Sequence, residues 1–132
     1  MVGIVLVSHS SQIAEGTAEL VRNMAGEVEM VVVGGDADGS LGTDPDRIRS
    51  AMEGFEADEV LVFMDIGSAI LSAETVLETL EPEVAEKVRL VDAPFVEGAF
   101  AAGVLASTGA DAEECVEAAQ EARTELKLHD EE

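Results

Sequence analysis

Val2-Gly3-Ile4-Val5-Leu6-Val7, followed at once by Ser8-His9-Ser10-Ser11, is the stretch that decides the fold. The run is apolar and rich in β-branched residues, with no alternation of polar and apolar positions, which is the pattern of a strand buried on both faces. The polar cluster that stops it places a histidine at the strand's carboxyl end. Strands covered on both faces belong to parallel sheets whose crossovers are helices, so strand and helix should alternate along the chain.

They do. From Ser11 to Met24 the residues Ile13, Ala14, Ala18, Leu20, Val21 and Met24 keep helical spacing, with Gly26 as a stop. Glu27 to Val33 returns to a strand, Gly34 to Gly42 is a loop by composition, and Thr43-Asp44-Pro45-Asp46 opens a second helix with proline in its first turn. Glu59 to Met64 is a third buried strand, ended by Asp65-Ile66-Gly67-Ser68, and a helix is expected from Ser68 to Leu80. Lys87 to Val91 is a fourth strand, Pro94 breaks it, and Val96 to Ala106 reads as a close-packed helix of small residues. Asp111 with Glu114 forms a capping-box pattern for the last helix. The expected fold class is α/β, a small doubly wound and mostly parallel sheet with helices on both faces. In such sheets the site lies beyond the carboxyl ends of the strands at the switch point, where His9, Gly34-Gly35, Asp65 and Pro94 would converge.

Charge narrows the partners. The 132 residues carry 7 Lys+Arg against 29 Asp+Glu, a formal charge of −22. Nucleic-acid binding needs clustered cations to replace counterions on phosphates, and an anionic membrane surface would repel the same charge; neither is an expected partner. With 47% hydrophobic residues in strand-length and helix-length blocks the chain should nevertheless fold, as one domain over residues 1–127 with an acidic tail at 128–132. Acidity on this scale reads as adaptation to a high-salt cytoplasm, where screening offsets self-repulsion, hence a halophilic source. The N-terminus has no basic region and its apolar run is too short for a signal peptide or a membrane span. Cys115, the single cysteine, excludes an internal disulfide and reads as a small buried thiol. A cytoplasmic location is expected.

Which residues carry chemistry is less specific. His9, flanked by hydroxyls and facing Asp65, suits nucleophilic or acid–base work, since a carboxylate can hold one imidazole nitrogen and leave the other free. The plainer alternatives are that His9 caps the following helix or fills a polar strand end, and that Asp65 caps the third helix, its default reading, or is a metal ligand. His129, in a charged terminus, reads as solvated. No magnesium-binding acidic residues follow the first strand as a phospho-receiver would require, Asp36-Ala37-Asp38-Gly39 lacks the glutamate of a calcium loop twelve positions along, and neither GxxxxGK[ST] nor GxGxxG is present. No metal site is expected. Gly42-Thr43 could present an amide and a hydroxyl to a phosphoryl group, or form a plain flexible loop with Thr43 as the N-cap of the next helix.

Four motifs in order, Val7-Ser8-His9-Ser10-Ser11, Gly42-Thr43-Asp44, Met64-Asp65-Ile66-Gly67-Ser68-Ala69 with Leu71-Ser72-Ala73-Glu74, and Ala93-Pro94-Phe95-Val96-Glu97-Gly98, give a further reading. Together they resemble the mannose-family IIA domains of the sugar phosphotransferase system (PTS), in the branch formed by the phosphotransferase subunits of phosphoenolpyruvate-dependent dihydroxyacetone kinases. The resemblance covers about residues 1 to 122. It implies a phosphoryl relay in which His9 accepts phosphate from the phosphocarrier protein HPr or an equivalent. His9 would then pass it to ADP held in the L subunit of the kinase, which phosphorylates dihydroxyacetone. It implies that Asp65 hydrogen-bonds the imidazole, and that Ser10, Thr43, Gly67 and Ser68 are the candidates for holding the phosphoryl group. No cofactor is implied in this chain, with ADP/ATP and Mg in the partner kinase subunit. A homodimer is implied as well, for which Phe95, Val96 and Phe100 offer an apolar patch, unless they are ordinary core. Some relatives continue into a carrier domain, so a separate donor is expected here. The alternative function is a regulatory module whose phosphorylated His9 controls partner binding.

Overall fold

The computed structural model describes residues 1–128; His129 and all but the first residue of the expected acidic tail lie outside the described residues. Four strands, β1 (Val2–Ser8), β2 (Glu29–Gly34), β3 (Glu59–Met64) and β4 (Val88–Leu90), form one sheet in the order β2-β1-β3-β4. Every pairing is parallel. The helices are α1 (Ser11–Met24), α2 (Pro45–Glu53), α3 (Ser68–Glu78), α4 (Pro82–Ala85), α5 (Phe95–Ser107) and α6 (Ala112–Glu121). This is the doubly wound α/β architecture expected from the pattern.

The continuous apolar runs explain the layering. Side chains alternate across a strand, so β1 sends Ile4 and Leu6 to one side and Val5 and Val7 to the other, all fully buried. Ile4 and Leu6 join Ala18 and Val21 of α1, Ala99 and Ala102 of α5, and Cys115 and Ala119 of α6. Val5 and Val7 join Ile48 and Met52 of α2, Ala73 and Val76 of α3, and Phe55. Cys115 is indeed a buried thiol, and burial first, then the nearby carboxylates Asp111 and Glu114, push its pKa up. Phe95 packs against the core, whereas Val96 and Phe100 are a little over one-third exposed.

Some boundaries differ from the pattern. The third helix ends at Glu78, because Thr79 turns its hydroxyl onto the Val76 carbonyl and closes the last turn before Leu80. The one-turn helix α4 carries no apolar periodicity and follows from Pro82 at its first position. Asp44, not Thr43, caps α2 through the Asp46 N–H, and the Asp111–Glu114 capping box is present on α6. Among the described residues no helix is long and apolar enough to cross a membrane.

Register then places the site. Val7 pairs with Val33 on one side and with Met64 on the other, so the next step along β1 and β3 brings Ser8 level with Asp65. The Asp65 N–H donates to the Val7 carbonyl at 3.1 Å and extends the ladder by that one residue. Room for β1 depends on Gly3, where a Cβ would lie 2.3 Å from Phe55 Cδ1. Gly3→Ala should therefore destabilise the domain by about 1–3 kcal/mol through overpacking, read as a lower denaturation midpoint with an unchanged slope.

Candidate active site

The site is built at the switch point, where β1 and β3 lie side by side and their chains leave toward α1 and α3. Asp65 is its centre. Oδ2 accepts the Ser8 hydroxyl at 2.6 Å and the His9 main-chain N–H at 3.2 Å; Oδ1 accepts the Ile66 N–H at 2.6 Å and lies 3.2 Å from His9 Nδ1. An ionised carboxylate has about four acceptor positions and no proton to give. All four are occupied, and Nδ1 must carry the hydrogen.

Electrostatics follow from these contacts. Burial by itself would raise the Asp65 pKa, but the Ser8 hydroxyl, the Ile66 N–H, the His9 ring and the His9 N–H together outweigh it and hold the carboxyl below its ordinary value of 3.8. The side chain is 11% exposed, against 27% for His9. The imidazole is thus anchored on its inner nitrogen and open on its outer one.

On the outer side, Nε2 accepts from the Ser68 hydroxyl at 2.8 Å. Ser68 opens α3, and Gly67 before it has φ +50°, a left-handed conformation that favours glycine. No side chain caps α3, and among the described residues neither the Gly67 nor the Ser68 N–H donates within the protein. Asp65 therefore turns to the histidine and Ile66 instead of capping the helix. The cap of α1 is Ser10, whose hydroxyl accepts from the Ile13 N–H at 3.2 Å, so His9 is not a cap either.

The remaining candidates stand further back. The Thr43 hydroxyl is 3.1 Å from that of Ser72, tying the loop after β2 to α3, and the Gly42 N–H donates to the His9 carbonyl at 3.0 Å. Gly34 abuts Ser10 and Ser11 so closely that a Cβ would lie 2.5 Å from Ser11 Cα. Pro94 heads α5. Ser8 is the participant that sequence reasoning left without a role; a hydroxyl at the end of a fully buried strand has to find a partner, which was the available signal. A cleft of about 500 Å³ adjoins Asp65 on the β4 side, but Glu74 and Asp92 line it and the imidazole does not, so it suits an anion poorly.

The helix termini carry a second signal. α2, α4, α5 and α6 have acidic residues in their first turns, namely Asp46, Glu83, Glu97 and the pair Glu113 and Glu114. The first turns of α1 and α3, which flank His9, have none. In a chain this acidic, the start of α3, with no acidic residue in its first turn and with Nε2 beside it, makes a place for an incoming anion.

A group whose pKa is depressed on folding adds stability above its unfolded value and loses it as pH falls through the folded one. The stability difference between wild type and Asp65→Ala should accordingly be full above pH 3.8 and shrink below it. Denaturant unfolding of both proteins across that window measures it.

Comparison with known proteins places this geometry. Residues 3–116 match the EIIA-man family, PTS system fructose IIA component. A protein of Escherichia coli (strain K12) named PEP-dependent dihydroxyacetone kinase, phosphoryl donor subunit DhaM, is 48% identical over 121 residues, covering 88% of this chain and 26% of that protein. The chain thus spans about a quarter of that relative's length. A Listeria innocua protein, PEP-dependent dihydroxyacetone kinase 2, phosphoryl donor subunit DhaM, is 48% identical over 109 residues, covering 79% of this chain and 85% of that one. Among solved structures, a protein of unknown function superposes with a TM-score of 0.83 at 41% identity, covering 90% of this chain and 92% of that chain. A phosphotransferase system component EIIA from Streptococcus agalactiae shares the fold at TM-score 0.64 and 19% identity, covering 90% and 89%. The chain belongs to the EIIA-man family, and within it to the DhaM family.

Proposed function

We propose that this domain is a phosphohistidine relay of a phosphoenolpyruvate-dependent dihydroxyacetone kinase, with His9 Nε2 as the acceptor and donor of the phosphoryl group. The observation that carries the reading is the Asp65–His9 pair, which fixes the proton on Nδ1 and turns Nε2 toward the start of α3, whose first turn holds no acidic residue. Nε2 attacks the phosphorus of a phosphorylated carrier such as HPr; the P–Nε2 bond forms, and the bond to the carrier breaks with its electron pair leaving on the carrier. The phosphorylated ring keeps Nδ1–H, and Asp65 offsets the positive charge that develops on it. An oxygen of the ADP β-phosphate, held in the kinase L subunit, then attacks the same phosphorus, the P–Nε2 bond breaks, and the neutral ring returns.

Within the site, Ser68 and Gly67 are the nearest candidates to hold the phosphoryl oxygens. The Ser68 hydroxyl would move from Nε2 to one of them, and the two N–H groups at the start of α3 would meet the others. Ser10 Oγ accepts the Ile13 N–H and keeps its own proton to donate, while the Thr43 hydroxyl is already paired with that of Ser72. A homodimer is part of this proposal, with the exposed edges of Val96 and Phe100 beside Leu20 as the patch. So is a cytoplasmic, high-salt setting, which the charge of −22 favours.

Phosphoenolpyruvate, enzyme I and HPr in high salt should add one acid-labile phosphoryl group, seen by intact mass. His9→Ala should abolish it, and His129→Ala should leave it unchanged. Addition of the two kinase subunits should then yield dihydroxyacetone phosphate. Failure of wild-type His9 to accept phosphate would end the proposal, and phosphorylation without product would favour the regulatory alternative.

A further inference from the structure

Ser8 closes β1 with its side chain 1% exposed, the only buried polar residue besides Thr17 among those described. Its oxygen accepts the Ser10 N–H at 3.0 Å and its one proton goes to Asp65 Oδ2 at 2.6 Å. The acceptor role alone would satisfy the backbone. The direction of the proton is the informative part, because it closes the last free position on the carboxylate. Of the four donors to Asp65, two are main-chain N–H groups of His9 and Ile66, and one is the imidazole itself. Ser8 is the one remaining side chain.

The geometry points to a specific part for it. We propose that Ser8 is a positioning residue: by holding Asp65 Oδ2 while it receives the Ser10 N–H, it fixes the carboxylate plane so that Oδ1 keeps His9 in the Nδ1–H form with Nε2 as nucleophile. This rests on the phosphoryl-acceptor reading of His9. Without the hydroxyl, Oδ2 loses its shortest contact, the carboxylate can rotate about its terminal bond, and the ring can exchange its proton to Nε2. A ring protonated there has no lone pair on the side where Ser68 and the two free N–H groups stand.

The test reads the tautomer directly, by nitrogen NMR of labelled histidine at a pH where the ring is neutral. In wild type the Nδ1–H form of His9 should predominate. In Ser8→Ala its ratio to the Nε2–H form should fall roughly fivefold, the effect of one net hydrogen bond, and in Ser8→Thr it should be restored. Phosphoryl transfer from phosphorylated HPr should slow in Ser8→Ala by up to the same factor, about fivefold, because only the Nδ1–H form presents the Nε2 lone pair. In an Asp65→Ala background the same change should cost nothing further, since neighbours acting through one group are not additive. A folded Ser8→Ala protein with the wild-type tautomer ratio would overturn the proposal, as would an equal loss of rate in the Asp65→Ala background. If Ser8→Ala does not fold, Ser8→Cys keeps the shape, weakens the donor and carries the same readouts. If wild-type His9 takes no phosphate, the relay reading fails, while the tautomer ratio still decides the role of Ser8.

Discussion

The structure turns on one carboxylate with four hydrogen-bond donors. Asp65 sits one residue past β3, and three of its donors, the Ser8 hydroxyl and the main-chain and ring N–H groups of His9, come from the end of β1. The partnership therefore exists only in one register of those strands. A slip of a single residue would turn every side chain of β1 to the opposite layer, moving Val5 and Val7 out of their core along with Ser8. Packing and chemistry are set by the same alignment, and the clearance for that alignment is provided at Gly3, where β1 passes under Phe55.

The distribution of charge makes the site stand out more than its total does. Surface ion pairs are present, such as Arg89 with Glu113, Arg123 with Asp92 and Lys127 with Glu97, but exposed pairs of this kind contribute only about 0–1 kcal/mol each. Among the described residues most carboxylates have no ion-pair partner. Carboxylates are placed in the first turns of four helices, where they complement the helix dipole, and are absent from the first turns of α1 and α3. A phosphoryl group brings roughly −1.5 to −2 of charge, and on the proposed reading it would meet the start of α3, whose first turn adds no carboxylate. Salt in the medium screens the more distant carboxylates, whereas the near contacts to N–H groups and hydroxyls are made at hydrogen-bond distance and keep their strength.

Much of this was legible in the residues. Continuous apolar runs identified the strands, and their alternation with helical spacing gave the parallel sheet and both of its faces. His9 and Asp65 came together because each follows a strand at the switch point, a consequence of topology that needs no coordinates. Register was not legible: nothing in Val2–Ser8 or Glu59–Met64 states which residues pair, so the level placing of Ser8 and Asp65 was hidden. The Thr43–Ser72 contact was hidden for the same reason, since it joins two segments 29 positions apart. Helix ends were misplaced where a side-chain bond, such as Thr79 to the Val76 carbonyl, outweighed apolar spacing. The one-turn α4 is too short to have a period at all.

The order of the sheet, β2-β1-β3-β4, also bears on how the domain is assembled. β1 precedes both of its neighbours in the chain yet lies between them, and no two strands can pair as a local hairpin. Its apolar run has to wait for Glu29–Gly34 on one side and Glu59–Met64 on the other. Such non-local pairing favours slow folding and leaves sticky intermediates exposed in the meantime. The docking of β3 is also the event that brings Asp65 to Ser8 and His9. A nascent or half-folded chain therefore lacks an oriented imidazole, and the phosphate-carrying role proposed for His9 would be acquired together with the native sheet.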